Sequence, residues 1–379
     1  MKTVGIICEY NPLHLGHKKQ LDMIRQKDAD CAIVCLMSGN FVQRGAPAVF
    51  ERSLRAKAAV LSGADLVLEL PVTVSLSSAE GFAAGGVRIL SNFCDELCFG
   101  AETADASVLT DIARALLSDA FPPALLCRLE LGLSFPAARA AALEDLGLDS
   151  SIVALPNNIL AVEYCKAILA QRSSMRPFPI RREGGYHDPA PDTENPSATA
   201  VRQLIDNGMD WRSYLPDTAQ SVFDGACIHT LAAGERAILA RLRTMSDEEF
   251  ESLPYGSEGL WRKLMHAARQ EATLEQIAAA TKSKRYTRSR IDRMIMCAFL
   301  GLTAADIATP GPYARVLAFN DTGRQILNKA KKSGLFPNIG EKTDHPYEPI
   351  ESRCDALYGL FALDEPGIAK SNDRIYYHR

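Results

Sequence analysis

The sequence opens with the stretch Val4-Gly5-Ile6-Ile7-Cys8-Glu9-Tyr10-Asn11-Pro12-Leu13-His14-Leu15-Gly16-His17, and this stretch decides the fold. The apolar run Val4–Cys8 is short and predicts a buried strand, while the residues from His17 to Gln26 predict a helix. Two histidines and a glycine therefore stand at the first junction between a strand and a helix. Gly16 lets a ligand approach the backbone closely, and the helix N-terminus offers N–H groups to an anion.

Strand-like and helix-like segments alternate through the first half of the chain. Further strands are predicted at Cys31–Met37, Leu66–Leu70, Glu96–Phe99 and Phe178–Arg182, and helices at Ser53–Ser62, Ser78–Leu90, Ala104–Leu117, Phe135–Leu146 and Asn158–Ala170. Strands that alternate with helices at this spacing imply βαβ units and a parallel sheet covered on both faces. We therefore expect an α/β domain with the Gly16 junction at the carboxyl edge of its sheet.

Strand signals fade after about residue 205. Helices are predicted there at Gly225–Arg243, Gly259–Arg269, Leu274–Thr281 and Ser289–Leu300, and the tail from Gly311 mixes short elements with proline-rich turns. We therefore predict a catalytic α/β domain over residues 1–205, followed over residues 206–379 by a mainly α-helical region with a mixed tail.

Composition and charge narrow the class of protein. The 379 residues carry a formal net charge of −4, which argues against a protein that coats nucleic acid non-specifically. No stretch of 18 or more apolar residues occurs, so no membrane span is expected. Several of the ten cysteines lie inside apolar runs, which is typical of reduced thiols in the cytoplasm. The pairs Cys31/Cys35 and Cys94/Cys98 lack further ligands at zinc spacing, so no protein-held metal is predicted.

The histidine pair suits the chemistry of adenylyl transfer. When pyrophosphate separates from AMP, negative charge grows on the phosphate oxygens, and hydrogen-bond donors fixed in advance lower the barrier. His14 and His17 are therefore predicted to stabilise the α-phosphate transition state. Gly16 and the start of the helix are predicted to cradle the triphosphate.

A second phosphate-binding element is predicted at Ser197-Ala198-Thr199-Ala200-Val201-Arg202. Ser197 can cap a helix that begins here, and the Thr199 hydroxyl and the Arg202 guanidinium can hold an anion at the same helix start. Taken alone, the segment is also typical of an ordinary helix cap. Its combination with the upstream histidines and the intervening parallel sheet favours the phosphate site.

Several segments, in this order along the chain, resemble the bacterial tRNA(Met) cytidine acetate ligases, a family within the HxGH nucleotidyltransferases. The segments are Gly5–His17, Met37–Gly45, Gly63–Pro71, Phe99–Glu102, Pro156–Leu160, Gly185–Asp188, Ser197–Arg202 and Lys284–Arg288. Leu13 and Leu15 depart from the phenylalanine and asparagine that are usual at these positions. Both are variable positions of the motif, so the roles of the histidines and the glycine are retained.

The resemblance implies a HUP-like Rossmann domain, a reaction and a set of ATP contacts. ATP and acetate would give acetyl-adenylate and pyrophosphate, and the acetyl group would pass to N4 of the wobble cytidine (C34) of elongator tRNA(Met). Mg²⁺ would accompany the ATP. The implied ATP contacts are Ile7, Cys8, Glu9, Tyr10, Asn11, Pro12, Leu13, His14, Leu15, Gly16, His17, Lys18, Lys19, Gln20, Gly100, Asn157 and Arg182. The neighbouring Arg181 remains an alternative to Arg182.

Two further groups of residues complete the predicted site. Asn40, Gln43 and Arg44 follow the second strand and are expected to face the same sheet edge as the histidines, where they would hold acetate or the reactive cytidine. A basic run is predicted to bind tRNA, although it would also suit a solvated helix face; it comprises Lys282, Lys284, Arg285, Tyr286, Arg288 and Arg290. The sequence leaves open whether Arg52, Arg55 and Lys57 form a solvated face, and whether His187 is catalytic or anchors a loop.

The expected partners are therefore elongator tRNA(Met), ATP and acetate, with no membrane and no obligate protein partner. Two rival functions remain. A small-molecule adenylyltransferase of cofactor biosynthesis would share the histidine motif but would not need the helical second half. A non-catalytic RNA-binding protein could keep the fold, although His14, Gly16 and His17 would then serve no purpose.

Overall fold

The computed structural model describes residues 1–182, 195–283, 285–308, 313–331, 347–364 and 375–379. The opening stretch forms strand β1 (Thr3–Cys8) and helix α1 (Leu15–Lys27). The other strands are β2 (Ala32–Ser38), β3 (Phe41–Val42), β4 (Ala46–Pro47), β5 (Leu66–Leu70), β6 (Glu96–Ala101), β7 (Arg176–Arg181), β8 (Arg315–Phe319) and β9 (Tyr376–Tyr377). Each strand predicted in the first half is confirmed within a few residues.

The helices of the first half cover both faces of the sheet. They are α2 (Arg52–Leu61), α3 (Val72–Ser75), α4 (Ala79–Leu90), α5 (Ala106–Leu116), α6 (Phe121–Glu130), α7 (Phe135–Asp145), α8 (Pro156–Ala170) and α9 (Ala198–Asp206). The helices beyond residue 206 are α10 (Asp217–Phe223), α11 (Leu231–Thr244), α12 (Asp247–Glu251), α13 (Leu260–Gln270), α14 (Leu274–Thr281), α15 (Arg288–Leu300), α16 (Ala304–Ala308), α17 (Asp321–Ala330) and α18 (Tyr347–Tyr358). No helix among the residues described is both long and apolar enough to cross a membrane.

One sheet carries the fold, with the strand order β7-β6-β1-β2-β5-β8-β9. The five strands β7, β6, β1, β2 and β5 are parallel, and β7 forms one edge of the sheet. Along β1 the side chains alternate between the faces: Ile7 joins the core under α4, α5 and α8, whereas Ile6 and Cys8 join the core under α1, α2 and α9. The predicted α/β architecture with a parallel sheet and a large helical portion is therefore confirmed.

The main sheet contains two strands that were not predicted, and one predicted helix begins too early; the short strands β3 and β4 and the helix α6 were not predicted either. β8 pairs with β5 in the antiparallel direction, and β9 pairs with β8, so the sheet takes two strands from beyond residue 205. The helix predicted over Gly225–Arg243 is wrong in its first part, because α11 begins only at Leu231, which Thr230 caps. The residues before Leu231 make hydrogen bonds outside the helix: the His229 N–H donates to the Val49 carbonyl at 2.9 Å. The division into domains at residue 205 stays a prediction.

All ten cysteines are free thiols, as the sequence predicted. Eight of them are buried, Cys227 is half-buried and Cys127 is exposed. Those near the site, such as Cys8 and Cys98, have a raised pKa because burial disfavours the thiolate. Such thiols act as small apolar side chains in the core.

Candidate active site

A cavity of about 400 Å³ opens at the carboxyl ends of β1, β6 and β7. The chain runs from β1 to β2 on one side and later returns to β6 on the other, so the cavity lies where the strand order reverses. This is the position at which open α/β sheets bind their ligands. Eighteen of the predicted site residues line it: Ile7, Cys8, Glu9, Tyr10, Asn11, His14, Gly16, His17, Lys19, Gln20, Gln43, Arg44, Gly100, Asn157, Arg182, Ser197, Thr199 and Arg202.

His14 is the residue that caps α1. Its Nδ1 accepts a hydrogen bond from the Gly16 N–H at 3.1 Å, and Nδ1 of His17 accepts from the His14 N–H at 3.3 Å. The two imidazoles stack with their centroids 3.7 Å apart, and Tyr10 meets His17 edge-on at 4.9 Å. The helix start thus uses its own first N–H groups to fix both rings.

Both imidazoles are neutral near pH 7. Burial and, to a smaller extent, the nearby Arg182 and Arg202 lower the pKa of His17 to about 3. Burial, His17 and the same arginines bring the pKa of His14 well below its ordinary value. Because each Nδ1 accepts a backbone hydrogen bond, the hydrogen-bond network assigns the ring proton to Nε2. His14 Nε2 is buried and has no partner in the described part of the chain, so it is available as a donor to a ligand.

Gly16 is needed because the His14 ring lies against it. A Cβ at this position would lie 3.0 Å from His14 Cε1 and 3.2 Å from Nδ1. Gly100, at the end of β6, is different, because the nearest atom to a Cβ there would be Arg182 Cδ at 3.9 Å. The protein itself therefore tolerates a side chain at position 100, and the space beside it belongs to the cavity.

Helix α9 forms the opposite wall of the cavity. Ser197 caps it by accepting from the Ala200 N–H at 3.1 Å. The Arg202 guanidinium donates to the Asn11 carbonyl at 2.8 Å and to Thr199 Oγ1 at 3.1 Å. This arginine therefore ties α9 to the segment between β1 and α1 and holds a positive charge between the two predicted phosphate-binding elements.

Glu102 organises the third wall, although the sequence did not single it out as a site residue. Its Oε1 accepts from the Asn157 N–H at 3.2 Å and from Asn157 Nδ2 at 2.7 Å, and its Oε2 accepts from the Asn158 N–H at 2.8 Å. Asn157 Oδ1 in turn accepts from Arg182 at 3.1 Å. A carboxylate immediately after β6, opposite a helix start at Asn157, was the signal that could have identified it. Arg181 and Arg182 both line the cavity.

The loop between β3 and β4 forms the rim. The Gln43 N–H donates to Glu9 Oε1 at 3.0 Å, which joins this loop to the end of β1. Gly45 adopts a φ of +77°, and its Cα lies so close to the backbone at Asp292 and Arg293 that no Cβ would fit. The rim is therefore packed directly on α15.

Five predicted site residues do not line the cavity, namely Pro12, Leu13, Leu15, Lys18 and Asn40. Leu13 is fully buried in the core, and Lys18 pairs with Asp22 one helical turn away. The Asn40 side chain accepts from the Arg52 N–H at 3.0 Å and donates to Asp355 at 3.2 Å. His187 and Lys284 lie outside the described residues.

Arg52 and Arg55 are fully buried, so they do not form a solvated helix face. Arg55 donates to the Glu9 carbonyl at 2.6 Å, to the Ser38 carbonyl at 3.1 Å and to the Gly39 carbonyl. It thereby holds together the carboxyl ends of β1 and β2. Arg52 pairs with Glu69 and Asp355.

Among the residues described, only part of the basic run predicted to bind tRNA is free of contacts within the protein that would compete with RNA. Arg288 makes two 2.7 Å hydrogen bonds to Glu275, and Arg290 donates twice to the Tyr255 carbonyl, at 2.7 and 3.0 Å. Lys282 and Arg285 are exposed, and Arg285 pairs with Glu258 at 3.3 Å. Tyr286 is half-buried under Arg290, whose guanidinium lies 4.9 Å from its ring.

No group of three or more His, Cys, Asp or Glu side chains is placed to hold a metal ion in the described ranges. A magnesium ion that arrives with ATP is part of the substrate and takes most of its ligands from the phosphates and water. The prediction of Mg²⁺ therefore stays an expectation.

The strand, the histidine-capped helix and the opposing α9 define the site of a nucleotidyltransferase. A family model described as HIGH Nucleotidyl Transferase matches residues 1–365 of the chain. The chain therefore belongs to this class of enzyme folds.

Curated relatives narrow the family. The tRNA(Met) cytidine acetate ligase of Acetivibrio thermocellus is 34% identical over 373 residues, covering 91% of this chain and 89% of the relative. The protein of the same name from Clostridium novyi is 36% identical, with 89% of each chain covered. The chain belongs to the tRNA(Met) cytidine acetate ligase family.

Solved structures agree over the whole length. The apo crystal structure of Thermotoga maritima TmcAL matches with a TM-score of 0.91 and 29% identity, covering 100% of this chain and 99% of that one. A second crystal structure of the same protein, bound with alpha-thio ATP, matches with a TM-score of 0.88 and the same identity and coverage.

Proposed function

We propose that the protein is an ATP-dependent ligase that activates acetate as acetyl-adenylate and transfers the acetyl group to N4 of the wobble cytidine of elongator tRNA(Met). One observation carries the proposal: two stacked, neutral imidazoles line a cavity opposite Arg202, with His14 Nε2 buried and free to donate. The names of the relatives and the ATP analogue bound to Thermotoga maritima TmcAL support it.

The first step joins acetate to AMP. A carboxylate oxygen of acetate attacks the α-phosphorus, the new O–P bond forms, and pyrophosphate leaves with the electrons of the bond that breaks. Negative charge grows on the phosphate oxygens, and we assign its stabilisation to Nε2–H of His14 and His17 and to Arg202. Because these donors are held by backbone hydrogen bonds before ATP binds, little reorganisation is needed.

The second step moves the acetyl group to RNA. N4 of the cytidine attacks the acetyl carbon, the N–C bond forms, AMP leaves with the electrons of the C–O bond, and N4 releases a proton. We place the cytidine at the rim beside Gln43 and Arg44. Their loop is packed on α15, whose first turn carries Arg288 and Arg290 of the basic run, so RNA bound along that run would reach the rim.

We assign the remaining predicted contacts to the nucleotide. Gly100, Asn157 and Arg182 would hold the nucleoside end, and Ser197, Thr199 and the start of α1 would hold the phosphates. Since every cysteine is a free thiol, we propose that the reaction takes place in the cytoplasm.

The test is mass spectrometry of wobble nucleosides in tRNA(Met) after incubation with the protein, ATP and acetate. We expect N4-acetylcytidine, with pyrophosphate released. His17→Ala should abolish pyrophosphate release and leave the affinity for tRNA nearly unchanged, since the imidazole acts on the phosphates. Acetate-independent transfer of AMP to a small molecule, without acetylcytidine, would instead indicate a cofactor-synthesising adenylyltransferase.

A further inference from the structure

The cavity has two chemically different halves, one on each face of the sheet. The polar half lies beside α1 and α9 and contains His14, His17 and Arg202. The other half lies beside α4 and α8 and is walled by Ala79, Phe82, Phe99, Ile159, Leu160 and Tyr164. Ile7 separates the halves, because its side chain points to the α4–α8 face while Cys8 points to the other.

Tyr164 gives the apolar half its one unexplained polar group. The side chain is 3% exposed, and its ring packs against Phe99 with the centroids 5.4 Å apart. No hydrogen bond to its hydroxyl is found within the described ranges, and because Tyr164 lines the cavity, a ligand can supply the missing partner. Burial, with Cys8 and Glu9 adding to it, raises the pKa of Tyr164, so the hydroxyl keeps its proton and remains a donor.

The helix geometry places the backbone of Tyr164 about two helical turns below Asn157. Asn157, Leu160 and Tyr164 lie on one face of α8, and seven residues of helix span about 10 Å. Asn157 belongs to the network of Glu102 and Arg182 at the mouth, which leaves the deeper part to a second, smaller reactant.

We propose that this half of the cavity is the acyl subsite, in which Phe82 and Phe99 surround the methyl group of acetate and the Tyr164 hydroxyl donates to its carboxylate. This inference rests on the proposed function and specifies which residues select the acid that the enzyme accepts. A deep apolar subsite suits a two-carbon acid that must bind before tRNA and be shielded from water. The aromatic walls then determine specificity, because they exclude longer chains.

The test is pyrophosphate exchange into ATP by the full-length protein, driven by acetate or by propionate and measured without tRNA. Phe82→Leu removes part of a wall, and we expect the ratio of kcat/KM for propionate to that for acetate to rise about 10-fold or more, the usual effect of admitting one methylene. Tyr164→Phe removes only an unpartnered hydroxyl, so the fold should persist while the KM of acetate rises relative to the KM of ATP.

Matched controls separate specificity from stability. Phe121→Leu makes the same change in the same core but outside the cavity, and Tyr377→Phe removes an exposed hydroxyl that donates to Asp321. Neither should change the propionate-to-acetate ratio. An unchanged ratio in Phe82→Leu, or a rise in the KM of ATP instead of acetate in Tyr164→Phe, would overturn the acyl subsite. Absence of acetate-dependent exchange in the unaltered protein would instead refute the proposed function.

Discussion

His14 and His17 are held as neutral rings in the ligand-free site, and we expect their pKa values to rise when a triphosphate binds. The neighbouring arginines and the loss of water both disfavour the imidazolium. Negatively charged phosphate oxygens beside Nε2 oppose both effects, so nucleotide binding should raise the pKa of each ring. Each Nε2–H can therefore become a stronger hydrogen-bond donor as negative charge develops on the phosphate, although the ring is neutral before ATP binds.

The same pKa shift makes the free protein sensitive to acid. Unfolded histidine binds a proton below about pH 6.5, whereas folded His17 does so only near pH 3. Between these values the unfolded state binds more protons, so stability is fully present above pH 6.5 and falls as the pH falls. Urea unfolding at pH 7 and pH 5 should show a loss of up to about 2 kcal/mol from this residue. His17→Gln should lose less; equal losses in both proteins would mean that His17 already titrates normally.

Replacement by alanine should affect the two glycines of the site through different steps of the reaction. Gly16→Ala places a methyl group against the His14 ring and displaces it, and we expect pyrophosphate release to fall by about 100-fold. Gly100→Ala meets no protein atom closer than 3.9 Å, so it should keep the fold and raise the KM of ATP if the nucleoside uses that space. Steady-state kinetics with thermal unfolding as a control distinguishes the two. An unaltered KM in Gly100→Ala would remove the adenosine from that position.

At the scale of elements, a cation of the basic run forms an ion pair that joins α14 to α15, whereas others remain exposed and can contact RNA. Arg288 binds Glu275 of α14 in a bidentate pair, so Arg288→Ala should cost about 1 kcal/mol or less of stability and affect tRNA binding little. The Arg285 side chain is 73% exposed. Arg285→Glu should therefore weaken tRNA binding across a salt titration and lower the slope against log salt by about 1. Equal effects of the two changes on tRNA affinity would argue against this division.

The sequence predicted helices and strands well where the residues of the element itself show the apolar run or the capping residue that identifies it. β1 and β2 are almost entirely apolar runs, and α9 begins at the capping Ser197. β8 and β9 carry no such signal, because a five-residue and a two-residue strand are recognisable only beside the strand they pair with. For the same reason the sequence left open whether Arg52 and Arg55 are solvated. Their burial depends on Asp355 and on backbone carbonyls elsewhere in the chain. Glu102 was missed because its partner Asn157 is 55 residues away.

At the scale of the whole molecule, a buried ionic cluster joins the C-terminal part of the chain to the sheet. Glu69 of β5 pairs with Arg315 of β8 at 2.7 Å, and Asp355 of α18 contacts both Arg315 and Arg52. Glu351 accepts from the Val72 N–H at 2.7 Å, and burial raises its pKa. Since a buried charge that loses its partner costs about 3–5 kcal/mol, these residues make the two parts of the chain interdependent.

Because of this ionic cluster, we predict that residues 1–205 do not fold alone, although the sequence suggested a domain boundary at residue 205. The fragment would leave Arg52 without Asp355, expose the edge of β5 that β8 covers, and uncover Phe41, which packs on Tyr358 and Phe361. These losses are comparable with the whole stability of a domain, about 5–15 kcal/mol. Near-ultraviolet circular dichroism of the fragment should show no cooperative thermal transition, and co-expression with residues 206–379 should restore one. A sharp transition in the isolated fragment would instead establish the boundary and make the cluster dispensable for folding.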